Sequence, residues 1–310
     1  MKMTGWAALM VAAALLMAVQ AFAQGDNSGT GQGRAVLTVF AKHSEVAPTI
    51  TQHDVSVRVN GKDANVTGWA PFQGADDSLE LVVLIDSGAR NLGRQFEEIA
   101  HFIQSQGPDA KLAVGYMENG RAVLSGALST DHQQVASQLH LPAGPISSPY
   151  FSLSDLARNW PSRDRKARRE VVVLADGIDP NNPNFDADDP YVHAAINDSV
   201  RAGLVVYTVY WRGSDRSNVD ANTVNGGQSL LSEVTQATGG FSYQSGADNP
   251  VSFQPFFADL MRRMASQYAV DFSARLDRKP IVETLKVKIE GLGLQITAPE
   301  QVFVSKPAAQ

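Results

Sequence analysis

The decisive stretch of this sequence is Leu79-Glu80-Leu81-Val82-Val83-Leu84-Ile85-Asp86-Ser87-Gly88. Its nearly unbroken apolar run is typical of a parallel β-strand that is covered on both faces, and it is too short to span a membrane. The following segment, 92–103, carries apolar residues at spacings of four, three and four. That periodicity places them on one face of a helix, so the stretch predicts a buried strand with a helix packed on it.

Strand-like and helix-like segments continue to alternate along the chain. The turn Glu118-Asn119-Gly120-Arg121 joins two short apolar runs, which predicts an antiparallel hairpin. Predicted strands cover 79–85, 111–116, 122–124, 171–175 and 204–209, and predicted helices cover 131–139, 153–160, 191–202, 230–238 and 256–267. This alternation predicts an α/β fold: a doubly wound, mostly parallel sheet with helices on both faces.

The segments on either side of this α/β domain, 78–268, differ from it in composition. Residues 24–34 are rich in Gly, Ser, Asn and Gln, which predicts a flexible leader. Apolar and polar residues alternate in 35–77 and again in 269–310, which predicts a β-rich lead-in segment and a C-terminal β segment. We expect these flanking strands to close against each other.

Residues 1–23 have the pattern of a removable signal peptide. Lys2 supplies the positive start, an apolar run follows, and Ala21-Phe22-Ala23 provides small residues for cleavage. No later stretch is long and apolar enough for a membrane span. The absence of cysteine excludes disulfides and a lipid-modified cysteine. We therefore expect an exported product, periplasmic or extracellular, with no membrane span once the signal is removed.

Composition argues against several classes of function. The formal net charge of -6 and the scattered Lys and Arg residues do not predict nucleic-acid binding. The one basic run, 163–169, is expected to be a solvated helix-to-strand loop. The six histidines form no metal-binding spacing, and the sequence lacks Gly-x-Ser-x-Gly and Gly-Lys-Ser/Thr motifs. Catalysis is therefore not predicted.

Two aspartates follow predicted strands directly. In open α/β sheets the functional crevice lies beyond the carboxyl ends of the strands, where Asp86 and Asp176 stand. Either residue alone is more often a helix cap or a turn former. Together they predict a place for a divalent cation or a polar ligand.

Three segments, 81–88, 171–179 and 230–241, resemble the von Willebrand factor A domain in their order and spacing. The flanking β segments look like those of the bacterial exported proteins related to that family. The resemblance implies a non-enzymatic module that binds or adheres to a protein partner.

The resemblance also implies a metal-ion-dependent adhesion site, which reads Asp-x-Ser-x-Ser in intact members. Here Gly88 and Arg90 stand at the two serine positions, so the site is degenerate. The candidate metal ligands for Mg²⁺ or Mn²⁺ are Asp86, Ser87, Ser148 and Asp176. In one alternative Arg90 supplies the positive charge in place of a cation and pairs with Asp86 and Asp176. In another it begins the following helix and faces solvent. In a third Ser87 is a shifted ligand of a weak site.

The predicted partner-binding face contains Arg90, Asp179, Tyr150 and Trp211, with the two aromatic residues as contact anchors if they are exposed. A long polar loop, 213–228, is expected to border this face. One alternative function is envelope assembly through the terminal β segments. Another is a metal-dependent phosphohydrolase of a related fold, but Gly88 stands where such an enzyme needs a second carboxylate.

Overall fold

The computed structural model describes residues 29–41, 49–73, 78–143, 145–164, 166–213, 218–276, 281–290 and 293–306. The predicted signal peptide and residues 24–28 lie outside the described residues. The strands are β1 (Gly29–Ala41), β2 (Val55–Val59), β3 (Lys62–Pro71), β4 (Leu79–Ile85), β5 (Lys111–Glu118), β6 (Arg121–Leu124), β7 (Arg168–Ala175), β8 (Leu204–Tyr210), β9 (Ser242–Tyr243), β10 (Gln267–Leu276), β11 (Val282–Ile289), β12 (Leu294–Thr297) and β13 (Gln301–Phe303). The helices are α1 (Arg94–Gln104), α2 (His132–Ser137), α3 (Pro149–Arg158), α4 (Pro190–Ala202), α5 (Ala221–Thr238) and α6 (Gln254–Met264).

The central sheet has six strands in the order β6-β5-β4-β7-β8-β9. All neighbours are parallel except β6, which is antiparallel to β5 as the predicted hairpin requires. The first strand of this sheet along the chain, β4, lies beside the fourth, β7. Chain order reverses between these two strands, and such a switch point is where doubly wound sheets form a crevice.

Helices cover both faces of the central sheet. Alternate side chains of β4 point to opposite faces, so Val83 enters one core layer and Val82 enters the other. Helices α1, α2 and α6 pack on the first face, and α3, α4 and α5 pack on the second. The predicted doubly wound α/β fold is confirmed. No helix within the described ranges has both the length and the apolar character needed to cross a membrane.

A second sheet of seven strands, in the order β12-β1-β10-β3-β2-β11-β13, joins the two ends of the chain. Its strands pair antiparallel, and its own core includes Leu37 and Phe272. A bridge between Gln32 and Ser305 links β1 to the chain beyond β13. The lead-in and C-terminal segments therefore close against each other, as their alternation predicted.

The prediction of a flexible leader over 24–34 is wrong for residues 29–34, which form the start of β1. Glycines there allow close packing between strands. A Cβ atom on Gly31 would lie 2.5 Å from Val304 Cγ1, and one on Gly33 would lie 2.6 Å from the Phe272 ring. The glycines that suggested flexibility are therefore sites of close contact.

The predicted polar loop over 213–228 is also too long, because α5 begins at Ala221. Asp220 caps the helix by accepting the Thr223 N–H at 2.9 Å. Gly227 lies inside the helix, where a Cβ atom would be 2.3 Å from the carbonyl oxygen of Asp176. The glycine thus allows α5 to pack against the loop after β7.

Candidate functional site

The two predicted aspartates lie side by side at the switch point of the central sheet. Asp86 follows β4 and Asp176 follows β7, and the parallel register pairs Ile85 with Leu174. The Asp86 N–H donates to the Leu174 carbonyl at 2.8 Å, so the first loop continues the ladder onto its neighbour. Both side chains are buried. The structure therefore brings the two carboxylates to the same edge of the sheet.

Each aspartate also holds its own turn. Asp86 Oδ1 accepts the Gly88 N–H at 2.6 Å, and Asp176 Oδ1 accepts the Ile178 N–H at 2.9 Å. A carboxylate that bonds the amide two residues ahead forms an Asx turn, which stabilises a sharp change of chain direction. These turns shape the loops after β4 and β7, so a structural role accompanies any ligand-binding role.

A third loop, immediately before α3, connects to the other two. The Ser147 N–H donates to Ser87 Oγ at 3.0 Å. Ser148 Oγ accepts the Phe151 N–H at 3.2 Å as the cap of α3, and donates a short hydrogen bond to Asp179 Oδ2. Ser148 therefore ties the start of α3 to the loop after β7.

Asp179 is the buried partner of that bond, and it also orders its own loop. Its Oδ1 accepts the backbone N–H of Asn181 at 2.8 Å and the side-chain amide of the same residue at 3.0 Å. The sequence placed Asp179 on the binding face and Ser148 among possible metal ligands. The Ser148–Asp179 bond was not predicted, although Ser-Pro is a recognisable start of a helix.

Tyr150 and Trp211 support the site from inside and are not surface anchors. Tyr150 is 1% exposed, and its hydroxyl donates to the Gly177 carbonyl at 3.0 Å. Burial, together with the charges of Asp179 and Asp176, raises the pKa of Tyr150 well above its ordinary value. Its hydroxyl therefore stays protonated as a donor.

Trp211 is 5% exposed, and its indole N–H donates to Asn91 Oδ1 at 2.9 Å. Its backbone N–H donates to the Ala175 carbonyl at 3.1 Å. The expectation of exposed aromatic anchors at Tyr150 and Trp211 is corrected, because the packing turns both rings inward. They tie the loops after β4, β7 and β8 together.

Arg90 lies in the loop after β4, because α1 begins only at Arg94. It is partly buried, and its Nε donates to the Ser87 carbonyl at 3.2 Å. The guanidinium is thus folded onto the loop, and the alternative that Arg90 begins the following helix is not observed. The proposed pairing of Arg90 with Asp86 and Asp176 stays a prediction.

The residues at this edge do not fit a Mg²⁺ shell. Mg²⁺ requires near-octahedral oxygen coordination. Gly88 offers no side-chain oxygen, and the cationic side chain of Arg90 occupies the loop that carries hydroxyl ligands in intact sites. Ser148 Oγ is bonded to Asp179 and to the helix start. Among the described residues, no three His, Cys, Asp or Glu side chains gather as a metal ion would need.

Two exposed apolar side chains flank the same loops. Ile146, which precedes the locked Ser147, is 36% exposed, and Tyr191, in the first turn of α4, is 44% exposed. The Tyr191 ring packs on Phe151 with centroids 4.4 Å apart. Sequence reasoning missed both residues. For Ile146 the available signal was an apolar residue in a loop of Pro and Ser.

No protein-family model and no curated protein matches this sequence. Similar solved structures include an aerotolerance-related membrane protein from Bacteroides fragilis (12% identity; 60% of this chain and 98% of that chain; TM-score 0.43). They also include BatB from Bacteroides thetaiotaomicron (13% identity; 61% of this chain and 99% of that chain; TM-score 0.43). A third is the SpRpn10 VWA domain (10% identity; 59% of this chain and 94% of that chain; TM-score 0.40). These likenesses are too distant to transfer a function. The strand order and the helices on both faces of the central sheet define a doubly wound α/β fold. The central α/β unit of this chain has a von Willebrand factor A-like fold.

Proposed function

We propose that this chain is an exported, non-enzymatic protein whose von Willebrand factor A-like domain binds a protein partner. The binding surface is the carboxyl-end face of the central sheet, where Ile146 and Tyr191 are exposed. The site is degenerate, and binding does not depend on a divalent cation. Export is proposed from the signal-peptide pattern of residues 1–23.

The observation that carries this proposal is the combination of exposed apolar side chains with interlocked loops. Ser147 and Ser148 hold the loop that bears Ile146, through bonds to Ser87 and Asp179. A surface that is already ordered loses little conformational entropy on association, and exposed apolar groups provide the contact energy. These features support protein recognition at this face.

The same contacts disfavour catalysis. Asp86 and Asp176 each accept a hydrogen bond from the backbone of their own turn through one carboxylate oxygen, and both side chains are buried. Position 88 is glycine, so a phosphohydrolase pair of aspartates is missing. A screen of phosphatase and esterase substrates should find no turnover. Turnover that Asp86→Asn abolishes would instead support the enzyme alternative.

The binding test compares full-length exported chains in cross-linked envelope preparations. Ile146→Asp combined with Tyr191→Ser should reduce the recovery of the partner by about tenfold, because both apolar contacts are lost. Ile281→Asp is the matched control, since Ile281 is 44% exposed and directly precedes β11 of the second sheet. Chelator should leave recovery unchanged.

The proposal fails if the double variant recovers as much partner as the control, and its metal-free part fails if chelator abolishes recovery. Export is tested separately by fractionation and amino-terminal sequencing, which should find the processed chain beginning at Gln24. An unprocessed chain in the cytoplasmic fraction would contradict export.

Envelope assembly through the terminal strands has less support. The strands at the ends of the second sheet, β12 and β13, have four and three residues. Short edge strands are a usual protection against pairing with another chain. A defined homo-oligomer that loses its order when 270–310 is deleted would favour assembly.

A further inference from the structure

A cavity of about 940 Å³ lies between the two sheets, at the end of the molecule opposite the candidate site. Its walls come from the starts of β7 and β8, the end of α4, the middle of β1 and the chain around β13. This volume falls within the range of pockets that hold small organic ligands, which often lie between packed units.

The charge of this cavity is opposite to that of the whole chain. The chain carries a net charge of -6, whereas the cavity wall contains one carboxylate and several cations. The charged residues that line it are Arg34, Arg168, Arg169, Arg201, Lys306 and Asp271. Such a concentration of one sign in a concave surface attracts ligands of the opposite sign.

Two of these cations are structural. Arg168 is 4% exposed, so the expectation of a solvated basic loop is wrong at this position. It donates to the Met264 carbonyl at 2.7 Å and lies 3.4 Å from Glu170. Arg169 donates to the Asp164 carbonyl at 2.9 Å and lies 3.7 Å from Glu80. Buried carboxylates therefore offset these two charges.

The remaining cations lie at the rim of the cavity. Arg34 is partly exposed and is 3.8 Å from Asp271. Arg201 and Lys306 are exposed, and neither has a carboxylate within ion-pair distance among the described residues. Arg201 lies over the Phe303 ring at 5.7 Å, which orients its guanidinium. The rim thus keeps uncompensated positive charge.

The interior of the cavity offers apolar surface to a ligand. Phe72, which is 6% exposed, has the Arg168 guanidinium 5.0 Å from its ring centroid. Val36 and Phe303 contribute further apolar wall. These side chains give the cavity wall an apolar part beside its cations.

We propose that the cavity binds a small organic anion with an apolar chain. Its charged group lies among Arg34, Arg201 and Lys306, and its chain contacts Phe72 and Phe303. This site is independent of the partner-binding face, so either proposal stands or fails alone.

The test is isothermal titration calorimetry of the chain from Gln24 to Gln310 with three probes: decanoate, decylammonium and inorganic phosphate. Decanoate should bind with a stoichiometry of one, and the other two should bind at least about tenfold more weakly. Arg201→Glu combined with Lys306→Glu should weaken decanoate binding by about tenfold or more, because two attractions become repulsions. Lys286→Glu combined with Lys288→Glu is the matched control, since both lysines are exposed on β11 and the charge change is the same.

Loss of decanoate binding in the Arg201/Lys306 variant alone supports the site. A second variant, Lys306→Glu with Arg201→Gln, is checked for folding by thermal melting. If it melts like the wild type and still loses decanoate binding, the loss is a local charge effect and not misfolding. The proposal is overturned if decanoate does not bind the wild type, if both double variants bind it equally, or if decylammonium binds as tightly as decanoate. Phosphate that binds as tightly as decanoate would overturn the requirement for an apolar chain.

Discussion

The hydrogen bond from Ser148 to Asp179 fixes the loop before α3 to the loop after β7, and Ser148→Ala removes it. The substitution also removes the cap of α3, which costs about 1 kcal/mol. The buried Asp179 carboxylate loses a donor, which costs about 1.5–3 kcal/mol more because the group is charged and shielded from water. We therefore expect Ser148→Ala to lower the free energy of unfolding by about 3 kcal/mol.

Urea denaturation followed by circular dichroism measures this loss. Asp131→Ala is the matched control, because Asp131 caps α2 by accepting the Gln134 N–H at 2.9 Å and is exposed far from the buried carboxylates. It should cost only about 1 kcal/mol. In a cycle with Asp179→Ala, the double variant should be less destabilised than the sum of the two single variants. The reasoning is refuted if Ser148→Ala costs no more than Asp131→Ala, or if the two site substitutions are additive.

Three further predictions concern the packing, the pH dependence and the metal. Gly227→Ala should lower the free energy of unfolding by about 1–2 kcal/mol, although alanine has the better helix propensity, because the added Cβ meets the Asp176 carbonyl. Asn225→Ala, at an exposed position of the same helix, should not lower it. Equal urea midpoints for the two variants would contradict this prediction. Burial alone would raise the pKa of Asp259, but hydrogen bonds from Arg262, Arg263 and Tyr243 lower it below 3.8. Its ionised form therefore stabilises the fold above that pH, and this contribution is lost as the pH falls through the lowered pKa. Asp259→Asn should lower the free energy of unfolding by about 1–2 kcal/mol at neutral pH. In acid titrations the difference in this free energy between wild type and variant should narrow below pH 3.8. A difference that stays constant with pH would be evidence against this account. Calorimetry should detect no stoichiometric Mg²⁺ or Mn²⁺ binding, whereas binding that disappears in Asp176→Ala would show an active metal site.

Much of the fold was predictable because local patterns carry it. The apolar run of β4 and the helical spacing after it reflect burial on both sides of a sheet. Burial of this kind requires apolar side chains at consecutive positions, so it can be recognised from a short stretch of sequence. The alternation in the flanking segments likewise predicted strands. The errors in where elements begin occurred at glycines: Gly31 and Gly33 were assigned to a flexible leader and Gly227 to a polar loop, but they allow close contacts with distant parts of the chain.

By itself the sequence determined the α/β class, the positions of Asp86 and Asp176 after their strands, and the absence of serine at positions 88 and 90. Only the tertiary structure decided that Ser148 bonds Asp179, that Tyr150 and Trp211 are buried, and that the cations from four segments line one cavity. The physical reason is that periodic burial within an element depends on neighbouring residues. Hydrogen bonds, exposure and charge clustering depend on residues that are far apart in the chain and meet only when the sheets and helices pack.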